Sequence, residues 1–181
     1  MAVSFGATAA AGSVNTARTR ATLLRALRDA FGVFPTGVAV VTTRGAEGAP
    51  VGVTVNSFAS LSLDPPLVVW SLNRTSPSLA TFERSSHFAI NVLSTEQAHL
   101  SRRFGSRTPD KFGGLVLTQG AGGVPLLQET AAHFECRVVA VHPGGDHELF
   151  IGHVENFGHD STRAPLLFYA GRYHAPGEEL S

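Results

Sequence analysis

The spacing of apolar positions changes along the chain. Leu23, Leu27 and Phe31 recur at helical spacing, which predicts an amphipathic helix that begins near residue 17 and ends before Gly32. From residue 38 onward the period shortens toward two, and short β-branched runs alternate with turn-rich segments. These runs predict about seven strands, over residues 38–43, 51–58, 67–72, 87–93, 134–142, 149–157 and 166–173.

Two short helices are predicted to interrupt the strands. Ser76 followed by Pro77 is typical of an N-cap with proline at the first helical position, so a helix is expected from there to about residue 84. Ser94 and Gln97 have the spacing of a capping box, which predicts a second helix to about residue 104. One leading helix, several antiparallel strands and two inserted helices favour an α+β protein built on a closed antiparallel β-barrel.

The length and the termini indicate one folded domain. A chain of 181 residues fits a single domain, which we assign to residues 18–176. Residues 1–17 are mostly Ala, Gly, Ser and Thr and predict a flexible extension, and residues 177–181 form a short tail. A transit peptide is the alternative for the extension, but that segment has no apolar core.

Composition and charge narrow the class of function. The formal net charge is zero, so no electrostatic field draws the chain to nucleic acid or to an anionic membrane. No apolar run reaches the length of about 18 residues that a membrane-spanning helix needs. Cys136 is the only cysteine, which excludes an internal disulfide and a multi-cysteine metal site and favours a reducing, cytoplasmic location.

Several common enzyme signatures are missing from the sequence. It contains no G-x-G-x-x-G fingerprint, no Walker A lysine and no G-x-S-x-G elbow, which argues against Rossmann dehydrogenases, P-loop NTPases and α/β-hydrolases. Four histidines fall between residues 142 and 159, but without H-x-H or H-E-x-x-H spacing, so no metal site is predicted. Among them, His153 is interpreted as a half-buried side chain with a satisfied ring.

Two polar segments suggest a nucleotide-like ligand. The strand predicted over residues 51–58 carries Gly52, Thr54 and Asn56 on one face, a small polar surface that can approach a flat heteroaromatic ring. A solvent-facing strand explains the same pattern equally well. Residues 71–78 place hydroxyls, an amide and Arg74 before a predicted helix N-terminus, which favours a phosphate. Ordinary N-capping explains only Ser76, and together the segments are typical of a flavin site.

The order of motifs resembles the flavin reductase-like family, over residues 23–174. The stretches that carry the resemblance are Phe-Pro-Thr-Gly-Val-Ala-Val-Val-Thr-Thr from residue 34, Val-Gly-Val-Thr-Val-Asn-Ser-Phe-Ala-Ser-Leu-Ser-Leu-Asp-Pro-Pro-Leu from residue 51, Phe-Ala-Ile-Asn-Val-Leu from residue 88, Arg-Phe-Gly-Ser from residue 103, Pro-Asp-Lys-Phe-Gly-Gly from residue 109, Gly-Asp-His from residue 145 and Pro-Leu-Leu-Phe-Tyr-Ala-Gly-Arg-Tyr from residue 165. The sequence looks closest to the small reductase components of two-component aromatic monooxygenases. The resemblance implies an FMN-binding split β-barrel, usually a homodimer.

The resemblance also implies an activity and a set of contacts. NADH, less often NADPH, would reduce FMN or FAD, and the reduced flavin would pass to a separate monooxygenase component. Hydride moves directly between the two rings, so no catalytic side chain and no metal is expected. By position, the flavin contacts fall on Gly52, Val53, Thr54, Asn56, Ser57, Ser71, Leu72, Asn73, Ser78 and Arg103. The contacts to the nicotinamide nucleotide fall on His147, Phe168, Tyr169, Gly171 and Tyr173.

Two other functions stay open at this point. One is a non-catalytic split-barrel protein that binds flavin or haem, although it would not need the Gly-Asp-His and Gly-Arg-Tyr segments. The other is a flavin-dependent oxidase that acts directly on a small metabolite. Consumption of NADH without an organic substrate would separate a reductase from this oxidase.

Overall fold

The N-terminal part of the protein is a single helix. The computed structural model describes residues 13–45 and 47–179, so residues 1–12 of the predicted extension and the last two residues of the predicted tail lie outside the described residues. Helix α1 spans Ser13–Phe31. The predicted helix is therefore confirmed but begins about one turn earlier, within the segment assigned to the extension. It ends where Gly32 donates its N–H to the carbonyl of Arg28 at 2.8 Å.

The unit that begins at Pro35 is built from antiparallel strands and short helices. The strands are β1 Thr36–Gly37, β2 Ala39–Arg44, β3 Pro50–Val55, β4 Ala59–Leu63, β5 Pro66–Asn73, β6 His87–Val92, β7 Leu117–Gln119, β8 Pro125–Leu127, β9 Ala132–Gly144, β10 His147–His159, β11 Leu167–Tyr169 and β12 Arg172–His174. Among the described residues, the largest sheet has seven strands in the order β3-β2-β6-β9-β10-β5-β4. The helices are α2 Leu79–Arg84 and α3 Ala98–Gly105, with 3-10 turns at Thr95–Gln97 and Ala121–Gly123.

Strand β2 is buried on both of its faces. Ala39 and Val41 belong to one apolar cluster, whose largest members are the stacked and edge-on rings of Trp70, Phe82, Phe88 and Phe150. The alternate residue Val40 packs in a second cluster that contains Leu100 and Phe104 of α3. Because side chains alternate along a strand, β2 separates the barrel interior from the layer formed by α3. The packing of this second cluster holds α3 against β2, next to the candidate functional site.

One predicted strand is shorter in the structure, and another is divided into two. The run over residues 51–58 ends as strand β3 at Val55, and a separate strand β4 begins at Ala59. The run over residues 166–173 is a hairpin, because Ala170 and Gly171 form its turn with φ angles of +48° and +76°. Strands β7 and β8, with three residues each, are additional to the predicted strands. An apolar run alone does not reveal a tight turn inside it.

The two inserted helices differ in how well their starts were predicted. Helix α2 begins at Leu79 with Ser78 as its N-cap, so the predicted start at Ser76 and Pro77 is wrong. Ser76 instead accepts the Ser78 N–H on its Oγ at 3.3 Å, in the turn before the helix. The capping box is confirmed: Gln97 Oε1 accepts the Ser94 N–H at 3.1 Å, and a 3-10 turn leads into α3.

Candidate functional site

Helix α3 lies across the small, polar residues of β3. Thr54 donates its Oγ1 hydrogen to the carbonyl of Ser101 at 2.7 Å. At Gly52, a Cβ would lie 2.6 Å from Cε1 of the buried Phe104 ring, which is closer than real Cβ atoms approach other heavy atoms. The missing side chain of Gly52 therefore lets α3 pack against the strand. Within this chain, the rings that approach Gly52 are those of Phe104 and Phe112.

A cavity of about 720 Å³, which we name cavity A, opens at the start of β3. It is lined by residues 50–52, by residues 75, 77 and 78 before α2, and by the loop of residues 106–112. Asp110 shapes that loop, because its Oδ1 accepts the N–H groups of Phe112 and Gly113 at 3.1 and 2.7 Å. The Phe112 ring packs edge-on against Phe104. The loop is thus fastened to the C-terminal end of α3.

Lys111, the only lysine of the chain, lines cavity A. Its Nζ donates to the carbonyl of Phe104 at 2.7 Å and to the carbonyl of Gly52 at 3.4 Å. Partial burial lowers the pKa of this amine below its ordinary value because the charged form is desolvated. Together with Arg107, Lys111 brings positive charge to a cavity that also has hydroxyl groups. Neither cation was among the predicted site residues.

Arg103 contacts the loop that lines cavity A. Its Nη2 donates to the carbonyl of Gly113 at 2.6 Å and to the carbonyl of Asp110 at 3.4 Å. It does not line cavity A, at least among the residues that the structure describes. These contacts make Arg103 a residue that holds the loop in place.

A second cavity of about 510 Å³, cavity B, lies farther along β3. Thr54 and Asn56 form a polar side, and Phe168 and Tyr173 form an aromatic side. The Tyr173 hydroxyl and the Ser101 Oγ are hydrogen-bonded at 2.8 Å, which ties the β11–β12 hairpin to α3. The Arg102 guanidinium carbon lies 5.3 Å from the centre of the Tyr173 ring, within the range of a cation–π contact. Cavity B therefore offers both hydrogen-bonding groups and aromatic surface to a ligand.

Cavities A and B are neighbours on the same strand. Gly52 lines cavity A, Thr54 and Asn56 line cavity B, and Ser106 lines both. Because Gly52 and Thr54 are two residues apart, they belong to the same face of β3. An elongated ligand with a flat ring at one end and an anionic group at the other fits this arrangement.

A third group of predicted site residues lies where β5 pairs with β10. Ser57 Oγ accepts the N–H of Ser71 at 3.0 Å, and Asn73 Oδ1 accepts the N–H of Thr75 at 2.8 Å. His147 is opposite Asn73 in the strand register. The His147 Nδ1 lies 2.7 Å from Asp146 Oδ1, a contact that orients the imidazole.

Arg74, the residue that follows β5, forms an ion pair with Glu148 of β10 and is therefore not a free cation. Its Nη2 is 2.6 Å from Glu148 Oε1, and its backbone N–H donates to the carbonyl of Asp146 at 2.9 Å. The segment before α2 that the sequence singled out is therefore braced by the Gly-Asp-His turn. Its arginine already has a carboxylate partner.

The remaining predicted residues have buried or peripheral side chains. Leu72 belongs to the apolar core, and Val53 packs against it, so a ligand could reach these two residues only through their backbone. Tyr169 packs edge-on against His174, and Gly171 occupies the hairpin turn. Neither Tyr169 nor Gly171 lines cavity A or B within the described part of the chain.

Three histidines, His87, His133 and His147, lie beside carboxylates. His87 Nε2 is 3.3 Å from Glu155 Oε2, and His133 Nε2 is 3.7 Å from Glu135 Oε1. The buried Nδ1 of His153 has no hydrogen-bond partner, so the expectation of a satisfied His153 ring is wrong. Across residues 13–45 and 47–179, no group of three or more His, Cys, Asp or Glu converges as metal ligands do. Over the same ranges, no helix has the length and apolar character needed to cross a membrane.

The strand order and the short helices define the antiparallel split β-barrel that the sequence predicted. A family model described as "Flavin reductase like domain" matches residues 31–177. The chain belongs to this family, and the resemblance drawn from its motifs is confirmed.

Named relatives and a solved structure agree with this assignment. The chain is 46% identical over 149 residues to the flavin-dependent monooxygenase reductase subunit HsaB of Rhodococcus jostii, covering 82% of this chain and 76% of the relative. It is also 46% identical over 149 residues to the FMN reductase (NADH) SmoA of Agrobacterium fabrum, covering 82% and 84%. The Streptomyces globisporus NADH:FAD oxidoreductase SgcE6, solved in complex with NAD and FAD fragments, matches with a TM-score of 0.80 at 35% identity, covering 86% and 93%.

Other relatives are longer, and the chain spans about half of them. The matches confirm the predicted class of enzyme, a flavin reductase of the kind that serves as the reductase component of a monooxygenase. Flavin and a nicotinamide nucleotide are the molecules on which this class acts.

Proposed function

We propose that this chain catalyses the reduction of FMN or FAD by NADH and supplies the reduced flavin to a separate flavin-dependent monooxygenase. The observation that carries the proposal is the pair of adjoining cavities on one face of β3. Cavity B has an aromatic side, and cavity A is lined by two cations. The names of HsaB, SmoA and SgcE6 support the same donor, acceptor and partner class.

The flavin ring system is assigned to cavity B. Asn56 and the backbone of β3 offer hydrogen-bonding groups for the polar edge of the ring, while Phe168 and Tyr173 offer an apolar wall. Ser57, which is hydrogen-bonded to Ser71, keeps the adjoining turn in register with β5. When bound, the flavin supplies the ring that accepts the hydride.

The phosphate end of the flavin is assigned to cavity A. Lys111 and Arg107 supply positive charge, and Ser78, Ser106 and Thr108 supply hydroxyl donors around them. The carboxylate of Asp110 is occupied by two backbone N–H groups of its own loop. The donor set of cavity A therefore fits an anionic group.

The nicotinamide nucleotide is assigned to His147 and to residues of the β11–β12 hairpin. Asp146 holds the His147 ring in one orientation, so the imidazole can bind a ligand without first being ordered. The Arg102 and Tyr173 pair lines cavity B beside the hairpin. The task of these residues is to bind and orient two rings and to exclude water between them.

A homodimer in the cytoplasm completes the proposal. Leu63, Val139 and Phe157 are large apolar residues on strands of the barrel, exposed by 92%, 50% and 67%. Such residues are typical of a surface that a second copy covers. The reduced thiol of Cys136 is consistent with a cytoplasmic environment.

Turnover without any organic substrate tests the activity directly. Purified protein should oxidise NADH only when FMN or FAD is added, and the kcat/KM values for the two flavins should show which one is preferred. The loss of NADH absorbance measures the rate. Flavin binding without turnover by NADH or NADPH would contradict the proposal and favour a binding protein. A requirement for a small metabolite would favour an oxidase.

Two substitutions should separate the proposed flavin and nucleotide contacts. Asn56→Ala should raise the Kd for FMN and lower kcat together, each by about three- to tenfold, as expected for one lost hydrogen bond. His147→Ala should raise the KM for NADH by a similar factor and leave the Kd for FMN unchanged. His159→Ala, an exposed histidine at the far end of β10, is the matched control. An unchanged KM for NADH with weakened FMN binding would place His147 at the other ligand.

A further inference from the structure

A third cavity lies away from the proposed flavin site. Cavity C has a volume of about 480 Å³ and lies between the end of β2, helix α2 and the start of β6, with the turn at Gly122 as its fourth side. This volume is in the range of small-molecule sites. None of the described residues that line cavity C also lines cavity A or B. A ligand in cavity C would therefore leave the proposed flavin site free.

The lining of cavity C carries positive charge and hydroxyl groups. Arg44, Arg84 and His87 line it, together with the hydroxyl residues Thr43, Thr81, Ser85 and Ser86. No Asp or Glu is among the described lining residues. The chain as a whole has a formal net charge of zero, so two arginines without a carboxylate are a local excess of positive charge. Such a lining attracts anions and rejects cations.

Backbone carbonyls hold the two arginine side chains in place, and each guanidinium has further N–H donors for a ligand. Arg44 donates from Nη1 to the carbonyl of Gly48 at 2.6 Å and from Nε to the carbonyl of Gly123. Arg84 donates from Nε to the carbonyl of Ala80 at 2.8 Å. A guanidinium carries more N–H groups than these contacts use. A ligand would therefore meet oriented arginines, which lowers the entropy cost of binding.

The walls of cavity C are tied together by side chains. Ser85 Oγ donates to the carbonyls of Thr81 and Arg44 at 2.7 and 3.3 Å, which joins α2 to β2. Thr43, which is only 1% exposed, donates its Oγ1 hydrogen to the carbonyl of His87 at 2.7 Å and joins β2 to β6. The cavity is therefore preformed rather than assembled around a ligand.

Gly122 closes the cavity against the imidazole of His87. Its φ is +63°, and a Cβ at this position would lie 2.5 Å from Cγ of the His87 ring. Only glycine permits both the backbone conformation and this approach. His87 Nε2 is also 3.3 Å from Glu155 Oε2, so part of any imidazolium charge is already balanced. The permanent positive charge of cavity C is that of Arg44 and Arg84.

The geometry points to cavity C as a second anion site that binds a compact phosphate-bearing ligand. Arginine N–H groups match the oxygens of phosphate in pairs, and hydroxyl donors can satisfy the oxygens that remain. The shared chemistry is a phosphate group, whether it belongs to inorganic phosphate, to diphosphate or to a nucleoside monophosphate. The site is separate from the flavin phosphate assigned to cavity A.

Titration calorimetry on protein saturated with FMN tests the site, because FMN already fills the other phosphate position. Inorganic phosphate, diphosphate and adenosine monophosphate are the three probes, and at least one should bind with a stoichiometry of one per chain. Arg84→Gln should weaken this binding by about tenfold or more, the effect of losing charge-assisted hydrogen bonds. Ser86→Asp, which adds a carboxylate to the lining, should weaken it as well. The rate of NADH-dependent FMN reduction should not change in either variant.

The matched control is Arg25→Gln, which removes the same charge from the exposed surface of α1. It should leave the affinity of each probe within about twofold, the range expected of a solvent-exposed charge. Tighter binding of the monophosphate than of inorganic phosphate would identify a nucleotide as the source of the phosphate. Absence of binding by all three probes would overturn the inference. So would equal losses in Arg25→Gln and Arg84→Gln, or a loss of FMN binding in Arg84→Gln.

Discussion

Lys111 connects three parts of the proposed flavin site. Its amine joins the carbonyl of Gly52 on β3 to the carbonyl of Phe104 on α3, and its backbone belongs to the loop that forms one wall of cavity A. An ammonium carries three donors. Two donors are used by these carbonyls, so one more can meet an anion in the cavity. Partial burial also strengthens the attraction between this charge and a phosphate, because less water screens it.

Replacing Lys111 should therefore affect FMN and riboflavin differently. Lys111→Gln should raise the Kd for FMN by about tenfold, the effect of losing a charged hydrogen bond, and leave the Kd for riboflavin unchanged because riboflavin has no phosphate. Fluorescence quenching on flavin binding measures both constants. Lys111→Arg keeps the charge and should retain part of the FMN affinity. Equal weakening of both flavins would show that Lys111 acts only by supporting the loop.

At the scale of single elements, β8 is attached to the barrel through side chains. Asn91 on β6 is fully buried and donates from Nδ2 to the carbonyl of Val40 and to Thr42 Oγ1, both at 3.0 Å. Its Oδ1 accepts the N–H of Leu127 at 2.9 Å. Thr42 Oγ1 in turn donates to the carbonyl of Pro125 at 2.5 Å. Two strands that are not paired by a ladder are thereby linked within the core.

Removing this link should destabilise the whole barrel. Asn91→Leu leaves the buried N–H of Leu127 without its partner, and we expect the free energy of unfolding to fall by about 1–3 kcal/mol or more. Urea unfolding followed by circular dichroism measures the change. Thr118→Val, which removes an exposed hydrogen bond on the neighbouring β7, should change it by less than about 0.5 kcal/mol. A similar fall in the free energy of unfolding in both variants would show that the buried Asn91 hydrogen bonds stabilise the barrel no more than one exposed hydrogen bond does.

At the scale of whole elements, prediction from sequence worked where the signal is local. The Ser94 and Gln97 pair defines a capping box within four residues, and the structure contains it. Ser76 and Pro77 have an equally good local pattern, yet the chain makes a turn there and α2 begins at Leu79 with Ser78 as its N-cap. Asp146 in the β9–β10 turn and Glu148 on β10, both far away in sequence, brace this segment. Long-range contacts of this kind override a local preference.

For the molecule as a whole, the environment of Cys136 reports on the integrity of the barrel. Its side chain is fully buried on β9, beneath the core of the large sheet. Burial, with smaller contributions from Glu155 and Glu135, raises the pKa of the Cys136 thiol to about 12. The folded protein therefore keeps this thiol protonated, whereas the unfolded chain ionises it near its ordinary pKa of 9.0.

Two consequences can be measured. At pH 8 the thiol of the folded protein should not react with an aromatic disulfide reagent until guanidinium unfolds the barrel, because the thiolate is the reacting form.

The second consequence is a pH dependence of the free energy of unfolding. Because the pKa of the Cys136 thiol is higher in the folded state, the protonated thiol contributes its full stabilisation below pH 9, and this contribution is lost as the pH rises toward 12. Between pH 9 and 12, the free energy of unfolding should fall less in Cys136→Ala than in the unchanged protein. Rapid labelling in native buffer would contradict the burial of this residue.

The sequence by itself determined those features that depend on neighbours along the chain. The helical spacing of Leu23, Leu27 and Phe31, the β-branched runs and the order of the motifs identified the leading helix, the antiparallel barrel and the family. These signals depend on periodicity and on short motifs, and both can be seen without knowing which elements meet.

Only the tertiary structure decided which residues share a cavity. The rings that lie against Gly52 are Phe104 and Phe112, the cation beside it is Lys111, and Arg103 holds a loop. Each of these contacts joins elements whose separation is set by packing, and packing depends on the whole core. The polar face of β3 could be recognised in the sequence, but not the helix that crosses it, because no local pattern encodes the distance between two side chains on different elements.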